Sequence, residues 1–329
     1  MNVIQLVKDK LSQGDKITYN EAKSLLDADN MDLFRLANDV REQFVGNEVV
    51  LCSITNAKSG HCPEDCKFCG QSSHFETSAP TYRFQDLEEL KSAVDEASRN
   101  GATEFSFVAS GKKISNQKEL NTLAQAIKYT KEKEGMEACT SLGLMSEEEL
   151  RYLKGFGMDH FHHNLETARS YFPNIVTSHT YDEEIQTVKN AKNADLHTCC
   201  GGVFGMGESW EQRLELAFDL RDLDVDSVPI NYLNPIAGTP LASQPLLDPF
   251  EALKIVSIYR LIMPEKNIMV MGGREIVLRD LQSWIFFAGA NGMLIGNYLI
   301  TNGRSVEDDL KMIDDLGLTR KAHCAGVMA

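Results

Sequence analysis

The sequence has few basic residues and no cluster of them. Among its 329 residues, 33 are Lys or Arg and 48 are Asp or Glu, which gives a formal net charge of −15. Nucleic acids and anionic membranes are bound through clustered positive charge. The composition therefore argues against both as partners and reports mainly on solubility.

Long apolar runs are also missing. Residues 1–16, MNVIQLVKDKLSQGDK, carry charges where a signal peptide needs an apolar core. The most apolar stretch, residues 284–300, is interrupted by Asn291, Asn297 and three glycines, so it does not predict a membrane span. We expect a cytoplasmic protein whose thiols stay reduced and can bind metal.

Three of the eight cysteines lie close together in the string GHCPEDCKFCGQS. Cys62, Cys66 and Cys69 have the spacing C-x3-C-x2-C, and thiolates suit iron, zinc or copper(I). The glycines and the proline of the string favour a loop on which the three could converge. A structural zinc site normally has four ligands, whereas a reactive centre keeps one position open. The alternative is a zinc knuckle completed by His61 or His74.

The same string resembles the signature of radical S-adenosylmethionine (SAM) enzymes, in which an aromatic residue, here Phe68, precedes the last cysteine. The longer string CPEDCKFCGQS is similar to that of one family in this group, biotin synthase, and the resemblance extends over roughly residues 34–318. It implies that Cys62, Cys66 and Cys69 hold a [4Fe–4S] cluster whose open iron binds SAM.

Beyond residue 46, short apolar segments alternate with amphipathic helical patterns, which favours a (β/α)8 TIM-type barrel over a doubly wound sheet. We predict an N-terminal helical cap over 1–45, the barrel over 46–320 and a C-terminal tail over 321–329. The predicted strands are 48–55, 103–109, 136–142, 158–162, 196–200, 227–231, 268–271 and 292–295. The predicted barrel helices are 87–99, 117–133, 146–155, 181–191, 210–222, 249–263 and 278–288.

Three further cysteines, Cys52, Cys139 and Cys199, each lie within a predicted strand. A buried cysteine is often only a small apolar core residue. If the barrel register is right, however, all three side chains point into the lumen, where they could hold a second iron–sulfur cluster. Cys200 should point away from Cys199, because neighbouring strand residues face opposite sides. The alternative is that strand five ends at Cys199, in which case Cys200 could still serve as a ligand.

The family resemblance supports a second cluster with altered ligands. Biotin synthases hold an auxiliary cluster with cysteines from strands two, three and five and an arginine after strand seven. The matching residues are Cys139 in EACTSLG, Cys199 in TCCGG and Arg274 in GGRE. The strand-two position is Ser106, and Cys52 is an added thiol on strand one. We expect a [2Fe–2S] or four-iron cluster on Cys52, Cys139, Cys199 and Arg274; the alternative is a degenerate site.

A further departure from the family is Glu104, which stands where a basic residue is expected, two positions before the strand-two ligand. It would share a strand face with Ser106, so the charge around the cavity changes as well.

The string GGVFGMGE resembles the SAM motif that follows strand five in this family. The resemblance assigns Gly201, Val203 and Gly205 to SAM, with glycine letting the ligand approach the backbone and valine facing the adenine. Glu166, in HFHHNLET, and Asn231, in SVPINYL, are also assigned to SAM.

Substrate contacts are implied by the same two strings. Asn164 is assigned to the ureido ring of dethiobiotin, and Asn231 to substrate as well as SAM, because an amide both donates and accepts hydrogen bonds. His162 replaces the family's asparagine and is assigned to the substrate, whereas His163 is interpreted as structural. A zinc site on these histidines is the alternative reading of the string.

The resemblance implies the last step of biotin biosynthesis. One electron from reduced flavodoxin or ferredoxin would cleave SAM to methionine and a 5′-deoxyadenosyl radical, which removes hydrogen from dethiobiotin. The auxiliary cluster would donate the sulfur, and a homodimer is expected. The alternatives are another radical SAM enzyme, such as an [FeFe]-hydrogenase maturase, and a non-catalytic cluster-binding or zinc-binding sensor.

Overall fold

A computed structural model describes residues 2–114 and 116–321. It contains one sheet of parallel strands with helices outside it. The strands are β1 Glu48–Lys58, β2 Glu104–Ala109, β3 Glu137–Ser141, β4 His160–His162, β5 His197–Cys199, β6 Gly202–Phe204, β7 Ser227–Tyr232, β8 Asn267–Val270, β9 Gly292–Leu294 and β10 Thr319–Arg320. The helices are α1 Val3–Ser12, α2 Tyr19–Ser24, α3 Asn30–Phe44, α4 Leu87–Arg99, α5 Gln117–Thr130, α6 Glu147–Lys154, α7 Tyr181–Asn193, α8 Trp210–Asp222, α9 Pro249–Ile262, α10 Arg274–Leu278, α11 Trp284–Phe287 and α12 Val306–Asp315.

The sheet closes into an eight-membered barrel, because β9 pairs with both β8 and β1. β5 and β6 form one barrel strand: Cys199 lies opposite Ser227 and Gly202 opposite Ile230, so the register against β7 is the same on both sides of the break. β10 pairs with the first two residues of β1. The predicted (β/α)8 barrel is confirmed.

Two local predictions are wrong in detail. The fifth strand continues beyond residue 200 as β6, because the glycines let the chain resume pairing with β7. The helix predicted over 278–288 is not continuous. α10 begins earlier, at Arg274, and ends at Leu278, where Arg279 has a positive φ (51°); a 3-10 turn follows, and α11 covers only Trp284–Phe287.

The N-terminal segment is helical, as predicted, and packs against the outer helices α8, α9 and α11. Phe34 of α3 stacks on Phe250 of α9, with ring centroids 6.0 Å apart, and meets Trp284 of α11 edge-on. The division into cap, barrel and tail stays a prediction, and residues 322–329 of the tail lie outside the described residues. Within the described ranges, every helix is too short or too polar to cross a bilayer.

Strand alternation decides which side chains reach the lumen. On β2, Phe105 and Phe107 face outward and are buried in the core beneath the helices. Glu104, Ser106 and Val108, in between, line the central cavity. Because successive side chains of a strand point to opposite faces, the alternation of apolar and polar residues on β2 places the polar groups inside the barrel.

Candidate functional site

A cavity of about 440 Å³ occupies the barrel interior and opens at the carboxyl ends of the strands. Active sites of this barrel class form at that face. Both cysteine groups reach this cavity. Its lining includes Cys62, Cys66 and Cys69 at the mouth and Cys52, Cys139 and Cys199 on the strands.

The loop that carries the first three cysteines is held by its own backbone. The Cys62 N–H donates to the Gln71 carbonyl at 3.1 Å, and the Cys69 N–H donates to the Cys66 carbonyl at 2.9 Å. Gly60 is in the left-handed region (φ 73°), and a Cβ there would lie 2.5 Å from the Thr81 hydroxyl. The turn predicted from the glycine spacing is therefore required sterically.

The acidic residues of the PED string fasten this loop to the segment after β4. The Asp65 carboxylate accepts from the backbone N–H groups of Thr177 and Ser178 at 2.8 and 3.0 Å. Although burial opposes it, this set of hydrogen bonds holds the pKa of Asp65 well below its usual range. Glu64 accepts from the Ser178 hydroxyl at 2.6 Å. The string therefore positions the cysteine loop across the barrel mouth.

Two segments of the second half of the chain also pack on the loop. A Cβ at Gly238, where φ is +90°, would lie 1.9 Å from the Glu76 carbonyl oxygen. A Cβ at Gly70 would lie 2.8 Å from the Ile300 side chain and 3.2 Å from that of Ile236. The loop is thus closely packed against residues that come at least 150 positions later.

A buried chain of ion pairs runs from this loop into the barrel. The Glu64 carboxylate contacts Nδ1 of His179, whose Nε2 lies 2.5 Å from the Glu184 carboxylate. Glu184 also contacts Nε2 of His163. Although burial opposes both shifts, these contacts lower the pKa of Glu184 to about 2 and raise that of His179 to about 9. His163 is thus held by Glu184 at the cavity wall, and its structural role stays a prediction.

The three loop thiols fit a metal cluster. Burial raises the pKa of each thiol, that of Cys69 to about 11, so the chain alone favours the neutral form. Thiolates would form here only with a cation bound between them. His61 and His74, the candidates for a zinc knuckle, are exposed and are not among the cavity-lining residues. The three thiols with an open fourth position match a reactive centre.

Glu166 is a strained and unsatisfied residue in the same cavity. Its backbone is left-handed (φ 62°), which is rare for a residue with a side chain. Its Oε2 atom is buried without a hydrogen-bond partner. Burial, aided by the charge of Glu184, raises the pKa of Glu166 to about 8. A buried carboxylate of this kind needs a cation or donor from a ligand.

The glycines after Cys200 serve the barrel itself. A Cβ at Gly201 would lie 1.9 Å from the Pro229 carbonyl oxygen, and one at Gly205, where φ is +93°, would lie 2.9 Å from Leu247. Neither glycine is among the cavity-lining residues, whereas Val203 is. The space that we expected these glycines to leave for a ligand is thus filled by neighbouring chain.

The predicted polar contacts do reach the cavity. Asn164 accepts from the Gly201 N–H at 3.1 Å. Asn231 donates to the Gly202 carbonyl at 3.2 Å and accepts from the Gly272 N–H at 3.0 Å. Both side chains line the cavity, with one amide hydrogen of Asn231 still available for a ligand.

The three strand cysteines lie deep in the lumen. Each is at most 9% exposed. Burial, followed by the charge of Glu104, raises the pKa of Cys52, Cys139 and Cys199 well above the usual range. As at the mouth, thiolates would require a bound cation. The set fits a second iron–sulfur centre by ligand type and burial.

The wall around these thiols is asymmetric. Met269, Met271 and Leu294 form an apolar cluster with Cys52. On the opposite strands, His162 Nδ1 lies 3.3 Å from the Cys199 sulfur. Burial lowers the pKa of His162 to about 4, so its imidazole is neutral at physiological pH. Cys200 faces the outer core, as the alternation predicted.

Arg274 is not brought to this cavity. It is fully buried, and its NH1 and NH2 atoms donate to the two carboxylate oxygens of Asp309 at 3.1 and 2.8 Å. NH1 also donates to Gln282 at 2.7 Å. Arg274 is not among the residues that line the cavity. Asp309 of α12 thus binds both terminal nitrogens of the guanidinium and leaves Nε without a partner, so the assignment of Arg274 as a cluster ligand stays a prediction that these contacts do not favour.

The sequence did not reveal every residue at the cavity floor, the deep end of the lumen where Cys52, Cys139 and Cys199 lie. The ligand atoms of Glu104, Cys139 and His160 lie within 4.8 Å of one another, and all three residues are buried. Glu104 had been noted only as an altered charge, and His160 only as part of a histidine-rich string. The pairing of β3 with β4, which sets Cys139 opposite His160, supplies the contact.

Comparisons with known proteins place this site in a family. The Radical SAM superfamily matches residues 57–220, and the Biotin and Thiamin Synthesis associated domain matches residues 229–319. The biotin synthase of Citrifermentans bemidjiense is 50% identical over 98% of this chain and 99% of its own length. That of Geobacter sulfurreducens is 48% identical over 99% of this chain and 100% of its own length.

Solved structures support the fold. Methylornithine synthase superposes with a TM-score of 0.84 at 21% identity, covering 96% of this chain and 98% of its own. A maturase of the [FeFe]-hydrogenase superposes with a TM-score of 0.82 at 16% identity, covering 98% of this chain and 76% of its own. Because full-length identity near one half is found with the biotin synthases, the chain belongs to the biotin synthase family of radical SAM enzymes.

Proposed function

We propose that this chain converts dethiobiotin to biotin by radical SAM chemistry and sulfur insertion. The observation that carries the proposal is that two separate groups of three thiols open onto one barrel cavity. One centre would serve SAM cleavage, and the other would hold the sulfur to be inserted. The alternatives, a maturase or a non-catalytic sensor, do not account for the second group in a chain so similar to biotin synthases.

The mouth of the cavity is the SAM site. Cys62, Cys66 and Cys69 would hold a [4Fe–4S] cluster, which together with SAM supplies the radical that removes hydrogen from an unreactive carbon. The Oε2 atom of Glu166, buried without a hydrogen-bond partner, gives the positively charged groups of SAM a partner in the cavity. Val203 supplies an apolar surface for the adenine ring.

The middle of the cavity is the substrate site. The amides of Asn164 and Asn231 offer donors and acceptors to the neutral cyclic urea of dethiobiotin. The apolar wall of Met269, Met271 and Leu294 suits its hydrocarbon part. His162, neutral and half-buried, adds a polar contact without a charge. Together these side chains would orient the reacting carbon and exclude water.

The floor is the auxiliary site. Cys52, Cys139 and Cys199 would hold the sulfur-donating cluster, either [2Fe–2S] or a four-iron variant. Their burial keeps that sulfide away from water and oxidants until the substrate is in place. By family membership we also propose reduced flavodoxin or ferredoxin as the electron donor, a homodimer and a cytoplasmic location.

Anaerobic reconstitution with iron and sulfide tests the function. With SAM, reductant and dethiobiotin, the protein should release 5′-deoxyadenosine and biotin, and 5′-deoxyadenosine should depend on reductant. Biotin without dethiobiotin would indicate contamination. Zinc in place of iron–sulfur absorbance would favour the sensor, and SAM cleavage without any biotin would favour another radical SAM activity.

A further inference from the structure

We propose that the Glu104 carboxylate is the fourth protein ligand of the auxiliary centre, beside Cys52, Cys139 and Cys199. The inference rests on the proposed function, since it assigns a ligand at the same site. It adds an oxygen donor to a set otherwise made of sulfur.

The position of Glu104 in the sheet is the first support for this assignment. Its Cα lies opposite Cys52 on β1 and opposite Glu137 on β3, two strand residues before Ser106, the register partner of Cys139, and therefore on the same face of β2 as Ser106. Glu104 is only 4% exposed and lines the cavity between two of the three strand cysteines. One of its carboxylate oxygens lies within 4.8 Å of the Cys139 sulfur and of a ring nitrogen of His160. The carboxylate therefore already lies beside the Cys139 thiol, on the strand next to the one that carries Cys52.

The ligand count gives the second argument. A [2Fe–2S] cluster takes four protein ligands, and a four-iron cluster with three thiolates also has one iron without a protein ligand. Arg274, the residue that the family pattern offers for this place, is held by Asp309. The set of three cysteines therefore lacks one ligand, and iron accepts carboxylate oxygen as well as thiolate.

Two other side chains are weaker candidates for the place. The Ser106 hydroxyl is buried without a partner but is neutral, so it would have to lose a proton to bind as an anion. His160 lies beside Glu104, but its Nε2 already faces Glu137 at 3.6 Å and the residue is not among those lining the cavity. Glu104 combines negative charge with access to the cavity.

The cost of burying Glu104 gives the third argument. A buried carboxylate is unfavourable unless a cation or hydrogen-bond donors compensate it. The neighbouring His160 side chain also faces Glu137, whereas the Cys139 thiol lies beside Glu104 and Cys52 is the register partner of Glu104 on β1. An iron ion bound between the carboxylate and the thiolates would compensate all of these groups at once.

The test is Mössbauer spectroscopy of protein reconstituted anaerobically with ⁵⁷Fe. In the wild type we expect one iron of the auxiliary centre to differ from the others, because oxygen replaces sulfur in its coordination. In Glu104→Gln that distinct subsite should disappear, with a loss of about one bound iron per chain. In Glu104→Cys the iron should be retained and the subsite should become thiolate-like.

Glu137→Gln is the matched control, since Glu137 is the register partner of Glu104, carries the same charge and is not among the cavity-lining residues. It should leave the auxiliary spectrum unchanged. The electron paramagnetic resonance signal of the reduced SAM cluster is measured in every variant, because it reports on folding independently of the auxiliary centre.

The outcomes separate this proposal from the proposed function. An auxiliary spectrum that is uniform in the wild type, or unchanged by both Glu104→Gln and Glu104→Cys, would overturn Glu104 as a ligand while leaving the second cluster in place. A wild-type protein that binds only the SAM cluster would instead remove the sulfur source and overturn the proposed function.

Discussion

The two groups of thiols are built on opposite principles. Cys62, Cys66 and Cys69 are half-buried and lie on one loop within eight residues, held by turns and by the acidic residues between them. The strand cysteines are almost completely buried and come from strands that lie up to 147 residues apart in the chain, as Cys52 and Cys199 do. The first group depends on local chain geometry, and the second depends on the register of the whole barrel.

The largest expected effect separates the two groups by function. Cys66→Ala should abolish SAM cleavage, by about 10³-fold or more, because the ligands of one cluster act as a unit. Release of 5′-deoxyadenosine measures this, and iron analysis should show that the floor centre remains. Cys200→Ala, which removes a buried thiol facing the outer core, is the control and should keep both centres.

Cys52→Ala should reverse this pattern. Biotin formation should fall to background while reductive cleavage of SAM continues, because only the floor loses a ligand. Iron and sulfide counts together with product analysis measure the effect. If Cys52→Ala retains the second iron–sulfur cluster, the assignment of Cys52 as a ligand is wrong. Cys52 is then only an apolar core residue packed against Met269 and Leu294.

Glu166→Gln should act at the mouth with an intermediate effect. Losing a charged partner in a buried site costs about 1.5–3 kcal/mol, so SAM should bind roughly 10- to 100-fold more weakly. SAM binding to the cluster, followed by electron paramagnetic resonance, measures this. Glu148→Gln, on the exposed face of α6, removes the same charge and should leave the affinity unchanged. Equal affinities in both variants would contradict the assignment of Glu166.

The smallest effect should be on stability, through the ion pairs that join the loop to the barrel. His179 has a raised pKa, so its contribution is complete below about pH 6.5 and is lost as pH rises towards 9. Glu184 has a lowered pKa, so its contribution is complete above about pH 4.5 and is lost as pH falls towards 2. Glu184→Gln should lower the free energy of unfolding by about 1–3 kcal/mol near pH 6. It should also weaken the dependence of stability on pH at both the acid and the alkaline end.

Thermal unfolding between pH 4 and pH 9 checks this prediction, with Glu183→Gln, its more exposed neighbour on α7, as the control. A variant with the same pH profile as the wild type would show that the ion pairs do not support the loop.

The two groups also differ in how far the sequence predicts them. The loop motif, the barrel and the inward direction of Cys52, Cys139 and Cys199 follow from spacing and strand alternation. The contact of Asp309 with Arg274 does not, since α12 begins 32 residues after the start of α10 and its sequence carries no signal for that contact. The partnership of Glu64 with His179 is equally hidden, because it depends on how two distant loops meet.

The packing of the cysteine loop has a consequence for the order of events at the ribosome. Gly70 fits against Ile236 and Ile300, and the Glu76 carbonyl against Gly238, so the loop cannot reach its final shape while those residues are still to be synthesised. Iron and sulfide delivered to a nascent chain would therefore encounter cysteines whose loop is not yet held in its folded conformation. The metal-delivery machinery is expected to act on the nearly complete polypeptide after release, and a truncation before residue 300 should bind iron poorly despite containing all six ligand cysteines.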